Sequence, residues 1–571
     1  MILDPLLDIK IKARLADLGN DEDETRAKYL ADQTGLPYIN LGLIAPEMDS
    51  LLKISLDRAE KNGLVPFKLM GRTLHIAILD PTNENTISEL LKIKAENNNE
   101  KPIIYVASPL SLKHVYARYA DLGESVVKVK GVINLDGTHL KELISEIKTL
   151  ADFQKSIESV AVNENKGRIS KIIELTMAGA IHFSASDIHI EPESELVRYR
   201  YRIDGNLMDI YHTDKKTYEL MVSRLKLLSG LKLSTTQSAQ DGRFSMQSED
   251  GEIEMRVSLV PTSNGESFVM RLLDPKNANV PFESLGMGKK LMEELERAIR
   301  KPFGMVLTTG PTGSGKSTTL YACLKKIYNP EVKIITIEDP IEYHLDGIVQ
   351  TQVEVKKEYT FLSGLRAAMR QDPDVIMVGE IRDEDTAKVA SQAALTGHIV
   401  LSTLHTNTAA GAVPRFITLG VDAKTLGSSL TLVMAQRLCR KLCPVCKIES
   451  VINETEESRY TKIFTNVLGA MIADGKECVY KPQTAYKVYK AKEEGCLKCT
   501  GGYKGRIGVY EAIIMNRKIE EVSIKSGGER DVADAARDQG IPDMKEDGIT
   551  KVLDGITSIQ ELERVVDLVS N

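Results

Sequence analysis

The eight residues GPTGSGKS at 310–317 determine the predicted fold of this chain. They follow an apolar run (304–310) and precede a plausible helix (318–327). They match the pattern G-x-x-x-x-G-K-[ST], whose glycines let backbone N–H groups curl around phosphates at a helix N-terminus. Lys316 would supply a point charge to the β- and γ-phosphates, and the Ser317 hydroxyl would ligate Mg²⁺. An accidental glycine-rich turn is the alternative, which the strand–helix context disfavours. The predicted nucleotide-binding residues of this phosphate loop are Thr312, Gly313, Ser314, Gly315, Lys316, Ser317 and Thr318.

Three further apolar runs follow the phosphate loop and alternate with helical segments: VKIITIE (332–338), DVIMVGE (374–380) and IVLSTLH (399–405). Strands buried on both faces and separated by helices indicate a parallel sheet covered by helices on either side. The expected fold class of this region is therefore α/β.

Charged residues stand where these strands end. Glu338 and Asp339 end one run, Glu380 the next and His405 the last. All strand C-termini of a parallel sheet open on the edge that carries the phosphate loop, so these side chains should converge on the γ-phosphate. There a carboxylate could orient the attacking water and others could hold Mg²⁺ or its waters. A solvated strand end remains the alternative for either glutamate alone, and His405 either senses the γ-phosphate or satisfies a buried hydrogen bond.

Two arginines, Arg366 and Arg370, lie four residues apart and so share one face of a predicted helix. Surface charge is the ordinary interpretation. The alternative is a pair that reaches a phosphate in trans across a subunit boundary, as an arginine finger does.

The seven cysteines include two CxxC pairs, CPVC (443–446) and CLKC (496–499). Four thiolates suit a closed, tetrahedral structural zinc site formed by Cys443, Cys446, Cys496 and Cys499. The intervening 447–495 exceeds the usual spacing of a zinc ribbon, so redox chemistry and incidental burial stay open as alternatives. The unpaired cysteines, predicted to be packing residues, are Cys323, Cys439 and Cys478.

The bulk composition is that of a soluble multidomain protein of 571 residues with a net charge of −7. That charge gives no electrostatic reason to expect nucleic-acid binding. Neither a membrane-length apolar run nor an N-terminal signal pattern is found, which predicts a cytoplasmic protein that contacts membranes through partners. The predicted division is a small α/β domain (1–120), a linker with a helix over 139–150 (121–165), a middle domain (166–278), a phosphate-loop domain (279–430), a tetracysteine subdomain (431–515) and a C-terminal helical region (516–571).

Taken together, these motifs resemble the secretion ATPases of type II secretion and type IV pilus assembly. The resemblance rests on GPTGSGKSTTLYA, TIEDPIEY, LRAAMRQDPDVIMVGEIRD, AALTGHIVLSTLHTN and the paired CxxC, and it extends upstream through SASDIHIEP, YRIDG and QDGRFS. It implies hexameric rings in which ATP lies between a PAS-like middle domain and a RecA-like motor domain. It also implies a partner, an inner-membrane platform protein that adds pilin subunits to a fibre.

The resemblance also implies roles for single residues. Glu338 falls in an acidic box and would be the general base, whereas Glu380 would be the Walker B glutamate that supports Mg²⁺ directly or through water. His405 falls in a histidine box. The remaining implied positions are Arg366 and Arg370 at the phosphates, Arg202 of YRIDG as a middle-domain contact to the nucleotide, and Cys443, Cys446, Cys496 and Cys499 at zinc.

The leading functional expectation is an ATP-hydrolysing motor for type IV pilus assembly, with type II secretion as the close alternative. Retraction ATPases of the same superfamily lack the first domain and the CxxC pairs, and a DNA-translocating motor would need a basic pore. A nucleotide-gated scaffold without turnover is the expectation from a different class. Cyclic di-GMP is not a predicted ligand, because residues 1–34 lack the RLG…L repeat of the relatives that bind it.

Overall fold

The computed structural model describes residues 23–569 apart from 43, 45, 52, 71–72, 97–101, 120–131, 134–148, 163–167, 249–250, 275–279 and 454–457. The chain divides into two compact units, Met1–Leu272 and Leu273–Asn571.

The first unit begins with a small α/β domain, as the sequence predicts. Its strands are β1 (Leu64–Met70), β2 (Thr73–Ile78) and β3 (Ile103–Val106). They form a sheet in the order β1-β2-β3, in which β1 pairs antiparallel and β3 parallel with β2. The described helices of this domain are α1 (23–34), α2 (Met48–Leu51), α3 (Leu56–Lys61), α4 (Glu84–Glu96) and α5 (Pro109–Arg118).

A second sheet completes the first unit, in the order β4-β8-β9-β10-β5-β6-β7. Its strands are β4 (Val132–Ile133), β5 (Ala185–Pro192), β6 (Leu196–Ile203), β7 (Asn206–Asp214), β8 (Gln240–Ser248), β9 (Gly251–Thr262) and β10 (Gly265–Leu273). Buried and half-buried residues alternate along β6, as on a strand with one face on a core. The helices are α6 (Leu150–Val162), α7 (Arg168–His182) and α8 (Lys215–Leu228).

The segment predicted as a linker, 121–165, contributes to this second sheet. The helix predicted over 139–150 lies almost entirely outside the described residues. The described helix α6 follows it and buries Phe153 and Ile157 in the core beneath the sheet. These two side chains are four residues apart, on one helical face, and that apolar face carries α6 into the core.

The second unit is built on a sheet in the order β13-β12-β14-β15-β11-β16-β19. Its strands are β11 (Gly304–Thr309), β12 (Ile334–Glu338), β13 (Val349–Gln352), β14 (Val375–Val378), β15 (Ile399–Leu404), β16 (Leu430–Leu442) and β19 (Tyr503–Ile514). All neighbours are parallel except β16 and β19. Every residue of β11, β12, β14 and β15 is buried, which confirms the predicted α/β core.

Helices pack around this sheet and beyond it. They are α9 (Lys289–Ile299), α10 (Lys316–Ile327), α11 (Phe361–Met369), α12 (Glu384–Leu395), α13 (Ala409–Thr418), α14 (Ala423–Ser429), α15 (Ser458–Ala473), α16 (Arg517–Ile524), α17 (Glu529–Ala536), α18 (Met544–Leu553) and α19 (Ile559–Glu563). Short 3₁₀ turns cover Phe282–Leu285, Val355–Lys357 and Arg537–Gln539. Among the described helices, none is both long and apolar enough to cross a bilayer.

The sheet continues past residue 430, where the sequence predicts the phosphate-loop domain to end. Strand β16 pairs in parallel with β11, and β19 pairs antiparallel with β16. The apolar run LTLVMA at 430–435 is the physical reason, because it needs burial on both faces. Beyond β16, the strands β17 (Ile448–Asn453) and β18 (Ala485–Lys490) form a separate antiparallel pair.

Candidate functional site

The phosphate loop connects β11 to α10 and depends on its glycines. Gly310, Gly313 and Gly315 have positive φ angles of 142°, 78° and 89°, a region that disfavours side chains. A Cβ at Gly310 would lie 2.5 Å from the Gln436 carbonyl oxygen, and one at Gly315 would lie 2.7 Å from Gln436 Nε2. Gly315 caps α10 without a side-chain hydrogen bond, so the first N–H groups of that helix stay available to an anion.

Lys316 lies at the start of α10 and folds back over the loop. Its Nζ donates to the carbonyl oxygens of Gly310 (2.7 Å) and Pro311 (3.1 Å). Burial lowers the pKa of Lys316, and the nearby charge of Glu380 opposes that effect. Beside it, the buried Ser314 hydroxyl has no hydrogen-bond partner among the described residues, whereas Ser317 is exposed. A helix N-terminus without a side-chain cap, one lysine and one hydroxyl without a described partner fit a nucleotide phosphate chain.

Glu338 ends β12 in a buried pocket lined by neutral donors. Thr336 Oγ1 donates to Glu338 Oε1 at 2.5 Å, and Gln350 Nε2 donates to the same oxygen at 3.1 Å. The Tyr321 hydroxyl, on α10, donates to Glu338 Oε2. Burial raises the pKa of Glu338, and these three hydrogen bonds reduce the increase. A carboxylate with a raised pKa, held from the phosphate-loop helix, accepts a proton more readily than an ordinary glutamate.

Glu380 follows β14 and lies between two basic side chains. Its carboxylate pairs with Arg382, and its Oε2 lies 3.1 Å from His405 Nε2. The charge of Glu380 also acts on Lys316, and Asp339 acts through its charge on Arg382. The strand ends therefore converge beside the phosphate loop. His405 is exposed rather than buried, so its contact to Glu380 does not satisfy a buried hydrogen bond.

Arg366 and Arg370 stand apart from this cluster. Arg366 lies near the end of α11 and Arg370 caps it, where Arg370 Nη1 donates to the Arg366 carbonyl oxygen at 3.0 Å. Both side chains are exposed. The described part of the chain provides neither with an acidic partner within 4.0 Å. Two exposed arginines without a partner carboxylate are free to reach an anion on another molecule.

Arg202 belongs to the first unit, on β6. Its Nε lies 3.4 Å from Asp187 Oδ2, and Arg202 Nη1 donates to the Gly205 carbonyl oxygen at 3.1 Å. Asp187 is buried and also pairs with Arg271 at 3.0 Å. Arg202 is therefore ordered by its own sheet, and its role toward a nucleotide stays a prediction.

Several residues at the site were missed by sequence reasoning. Tyr321 and Gln350 hold Glu338 from α10 and β13, and neither belongs to a charged motif. Gln436 and Arg437 lie on β16 against the phosphate loop, in a segment that the sequence assigns to another subdomain. The available sequence signal was the polar pair QR, which directly follows the apolar run LTLVMA.

The four paired cysteines meet at one point. Their sulfur atoms all lie within 4.8 Å of one another, with Sγ–Sγ distances of 3.8 Å for Cys443–Cys496, 3.5 Å for Cys446–Cys499 and 3.6 Å for Cys496–Cys499. Tetrahedral Zn–S bonds of about 2.3 Å require separations of about 3.8 Å. The four cysteines therefore fit a zinc ion.

The other cysteines have different surroundings. Cys323 and Cys439 are fully buried within cores, and the half-buried Cys478 thiol donates to the Tyr480 carbonyl oxygen at 3.1 Å. None of the three lies in the group of sulfur atoms, as expected for packing residues.

Comparisons with known proteins match two separate parts of the chain. Residues 162–564 match the family described as "Type II/IV secretion system protein", and residues 34–126 match the MshEN domain. Type II secretion system protein E of Pseudomonas aeruginosa is 40% identical over 424 residues, which cover 74% of this chain and 80% of the relative. Type IV pilus assembly ATPase PilB of Myxococcus xanthus is 34% identical over 556 residues, which cover 97% of this chain and 93% of the relative.

A solved structure has a similar fold. The Legionella pneumophila ATPase DotB covers 71% of this chain and 98% of its own, with a TM-score of 0.50 and 20% sequence identity. At that identity the likeness concerns the fold alone.

Proposed function

Because the chain belongs to the type II/IV secretion system protein family and is an ATPase, we propose that it drives type IV pilus assembly by coupling ATP hydrolysis to pilin polymerisation. The observation that carries this proposal is the extent of similarity. The pilus assembly ATPase of Myxococcus xanthus aligns with 97% of the chain, including the first domain, whereas the type II secretion protein of Pseudomonas aeruginosa aligns with 74%. The higher identity of the latter, 40% against 34%, supports type II secretion as the second candidate.

The chemistry proposed for the site divides the work between two glutamates. Glu338 accepts a proton from the attacking water, which its buried pocket and raised pKa support. Mg²⁺ would be held by the Ser317 hydroxyl and by Glu380, directly or through water, and would supply charge neutralisation for the phosphates. Lys316 and the N–H groups of the phosphate loop bind and orient the phosphate chain.

The assembly proposed for the working motor is a homohexamer that acts at the cytoplasmic face of an inner-membrane platform protein. The exposure of Arg366 and Arg370 supports this, because both side chains are available to a nucleotide bound by a neighbouring subunit. Arg202 is proposed to contact the nucleotide from the middle domain. His405 is proposed to couple the γ-phosphate to Glu380, since its ring nitrogen already contacts that carboxylate.

Zinc is proposed as a structural ion of the tetracysteine cluster, where it would hold the segments before β17 and after β18 together. Elemental analysis should find one zinc per chain, and Cys446→Ser should lose the metal and melt at a lower temperature. Cys478→Ser is the matched control and should keep the metal. Absence of zinc together with a disulfide in the purified protein would contradict the proposal.

The assignment is tested by placing Lys316→Ala in the native cell, then counting surface pili and assaying secreted proteins. Loss of pili would support assembly, and excess pili would indicate retraction. Normal pili with trapped secreted proteins would indicate type II secretion. Lys326→Ala is the matched control on the same helix, because Lys326 pairs with Glu283 at 2.7 Å and lies away from the loop.

A further inference from the structure

Arg437 of β16 lies against the phosphate loop and is used by none of the roles above. A Cβ placed on Gly310 would come within 3.1 Å of Arg437 Nη1, so the guanidinium borders the first glycine of the loop. Arg437 Nη2 donates to the Asn407 carbonyl oxygen at 3.0 Å. The guanidinium therefore bridges the phosphate loop and the segment that follows His405.

The charge of Arg437 is poorly compensated in its surroundings. The side chain is half-buried, and among the described residues its nitrogens donate to the oxygens of Gln436 and Asn407. Within the described ranges no carboxylate lies within 4.0 Å of it. Glu511 acts on it through its charge, but that carboxylate is engaged by the backbone N–H groups of Ala409 (2.6 Å) and Met544 (3.4 Å). Removing a charge from water is costly unless an opposite charge lies close to it, so an anion would stabilise the half-buried guanidinium at this position.

Several contacts locate that anion. Together with burial, the charge of Arg437 lowers the pKa of Lys316, whose Nζ donates to the Gly310 carbonyl oxygen. The loop residue Asn407, which Arg437 holds, stands two positions after His405, the residue that contacts Glu380. The guanidinium is thus placed on the side of the loop where Lys316 and Glu380 converge. Because the lysine of a phosphate loop reaches the β- and γ-phosphates, that side of the loop corresponds to the terminal phosphate rather than to the α-phosphate.

From these contacts we infer that Arg437 is a phosphate-binding residue of its own subunit and contacts the terminal phosphate of a bound nucleoside triphosphate. The inference rests on the proposed binding of nucleotide at the phosphate loop. Arg437 acts in cis, in contrast to the trans role proposed for Arg366 and Arg370. Its fork of N–H donors suits a phosphate oxygen pair.

The test measures equilibrium binding of a non-hydrolysable ATP analogue and of ADP, with Mg²⁺, to the full chain and to Arg437→Met. The variant should lose about tenfold or more in affinity for the triphosphate analogue and little for ADP, since a charge-assisted hydrogen bond to the terminal phosphate is removed. An equal loss for both nucleotides would overturn the inference, because it would mean that Arg437 only shapes the loop. No loss for either would overturn it as well.

Two further measurements show whether a loss of affinity in Arg437→Met has another cause, such as a general loss of surface charge or of stability. Arg506→Met, an exposed arginine on the neighbouring β19, is the matched control and should bind both nucleotides like the parent. Without nucleotide, Arg437→Met should melt no lower than the parent, because an uncompensated cation has been removed. A parent protein that binds neither nucleotide would instead contradict the proposed function itself.

Discussion

The pocket around Glu338 and the strand end around Glu380 place the same side chain in opposite surroundings. They belong to adjacent parallel strands, in which Ile337 of β12 pairs with Val378 of β14. Glu338 is buried among the neutral donors Thr336, Tyr321 and Gln350. Glu380 is bordered by Arg382 and His405 and lies within the electrostatic reach of Lys316.

The difference shows how one sheet edge can divide two tasks between two carboxylates. Burial without a cation disfavours the charged form of Glu338, so this group binds a proton more readily than an ordinary glutamate. Glu380 lies beside Arg382 and His405 at the strand end, where its carboxylate oxygens could ligate a metal ion or its waters. The proposed general base and the proposed metal-supporting group follow from environment rather than from residue type.

The largest expected effect comes from Glu338→Gln, which removes the proposed proton acceptor and keeps the shape of the pocket. ATP hydrolysis should fall by roughly 10²- to 10⁴-fold with nucleotide affinity retained. Steady-state phosphate release and nucleotide binding, measured on the same preparation, check this. Hydrolysis at the parental rate would remove the distinction between the two carboxylates.

A smaller loss is expected from Glu380→Gln, because the task proposed for Glu380 is to support the metal. The concentration of Mg²⁺ needed for half-maximal hydrolysis should rise by about 10- to 100-fold, and part of the activity should return at high Mg²⁺. A Mg²⁺ titration of hydrolysis rates measures this. Glu338→Gln is the control, since excess Mg²⁺ should not restore it. A variant as active as the parent at every Mg²⁺ concentration would show that Glu380 is wrongly assigned.

His405→Asn removes the imidazole contact and keeps a polar side chain next to Glu380. The loss of one hydrogen bond, worth about 0.5–1.5 kcal/mol, corresponds to a decrease in kcat of roughly 2- to 13-fold. Single-turnover hydrolysis is the measurement. A decrease as large as that of Glu338→Gln would mean that His405 takes part directly in the proton transfer.

The smallest expected effect concerns pH. The raised pKa of Glu338 predicts that hydrolysis is lost on acidification at a higher pH than an ordinary glutamate would give, because the base must be deprotonated. The Tyr321 hydroxyl stabilises the charged form, so Tyr321→Phe should move this acidic limb upward by roughly 0.4–1 pH unit.

The pH profile of kcat for Tyr321→Phe should be compared with that of Tyr343→Phe. Tyr343 contacts the Tyr321 ring edge-on, with ring centroids 6.3 Å apart, and Gln350 Nε2 donates to its backbone carbonyl oxygen at 3.0 Å, which a phenylalanine keeps. Its variant should keep the parental profile. A shift of the Tyr321→Phe limb toward lower pH would contradict the assigned role of the hydroxyl.

Much of the candidate site could be predicted because its residue types and their spacing are characteristic of nucleotide-binding sites. The glycines and Lys316 form a pattern that few other structures require, and the glutamates stand where buried strands end. Tyr321 looks like any apolar member of a helix, and Gln350 belongs to a polar edge strand. Neither could be assigned from sequence, because their role exists only through contact with Glu338.

The sequence by itself determined the α/β sheet, the phosphate loop, the cysteine pairs and the order of the strand ends, because local patterns and short-range chemistry encode them. Only the tertiary structure decided that Glu338 is buried and that Glu380 contacts His405. It also decided that β16, which lies beyond the predicted end of the phosphate-loop domain at residue 430, places Arg437 against the phosphate loop. The physical reason is that burial and charge compensation depend largely on residues distant in the chain. These residues come into contact only when the strands assemble into the sheet.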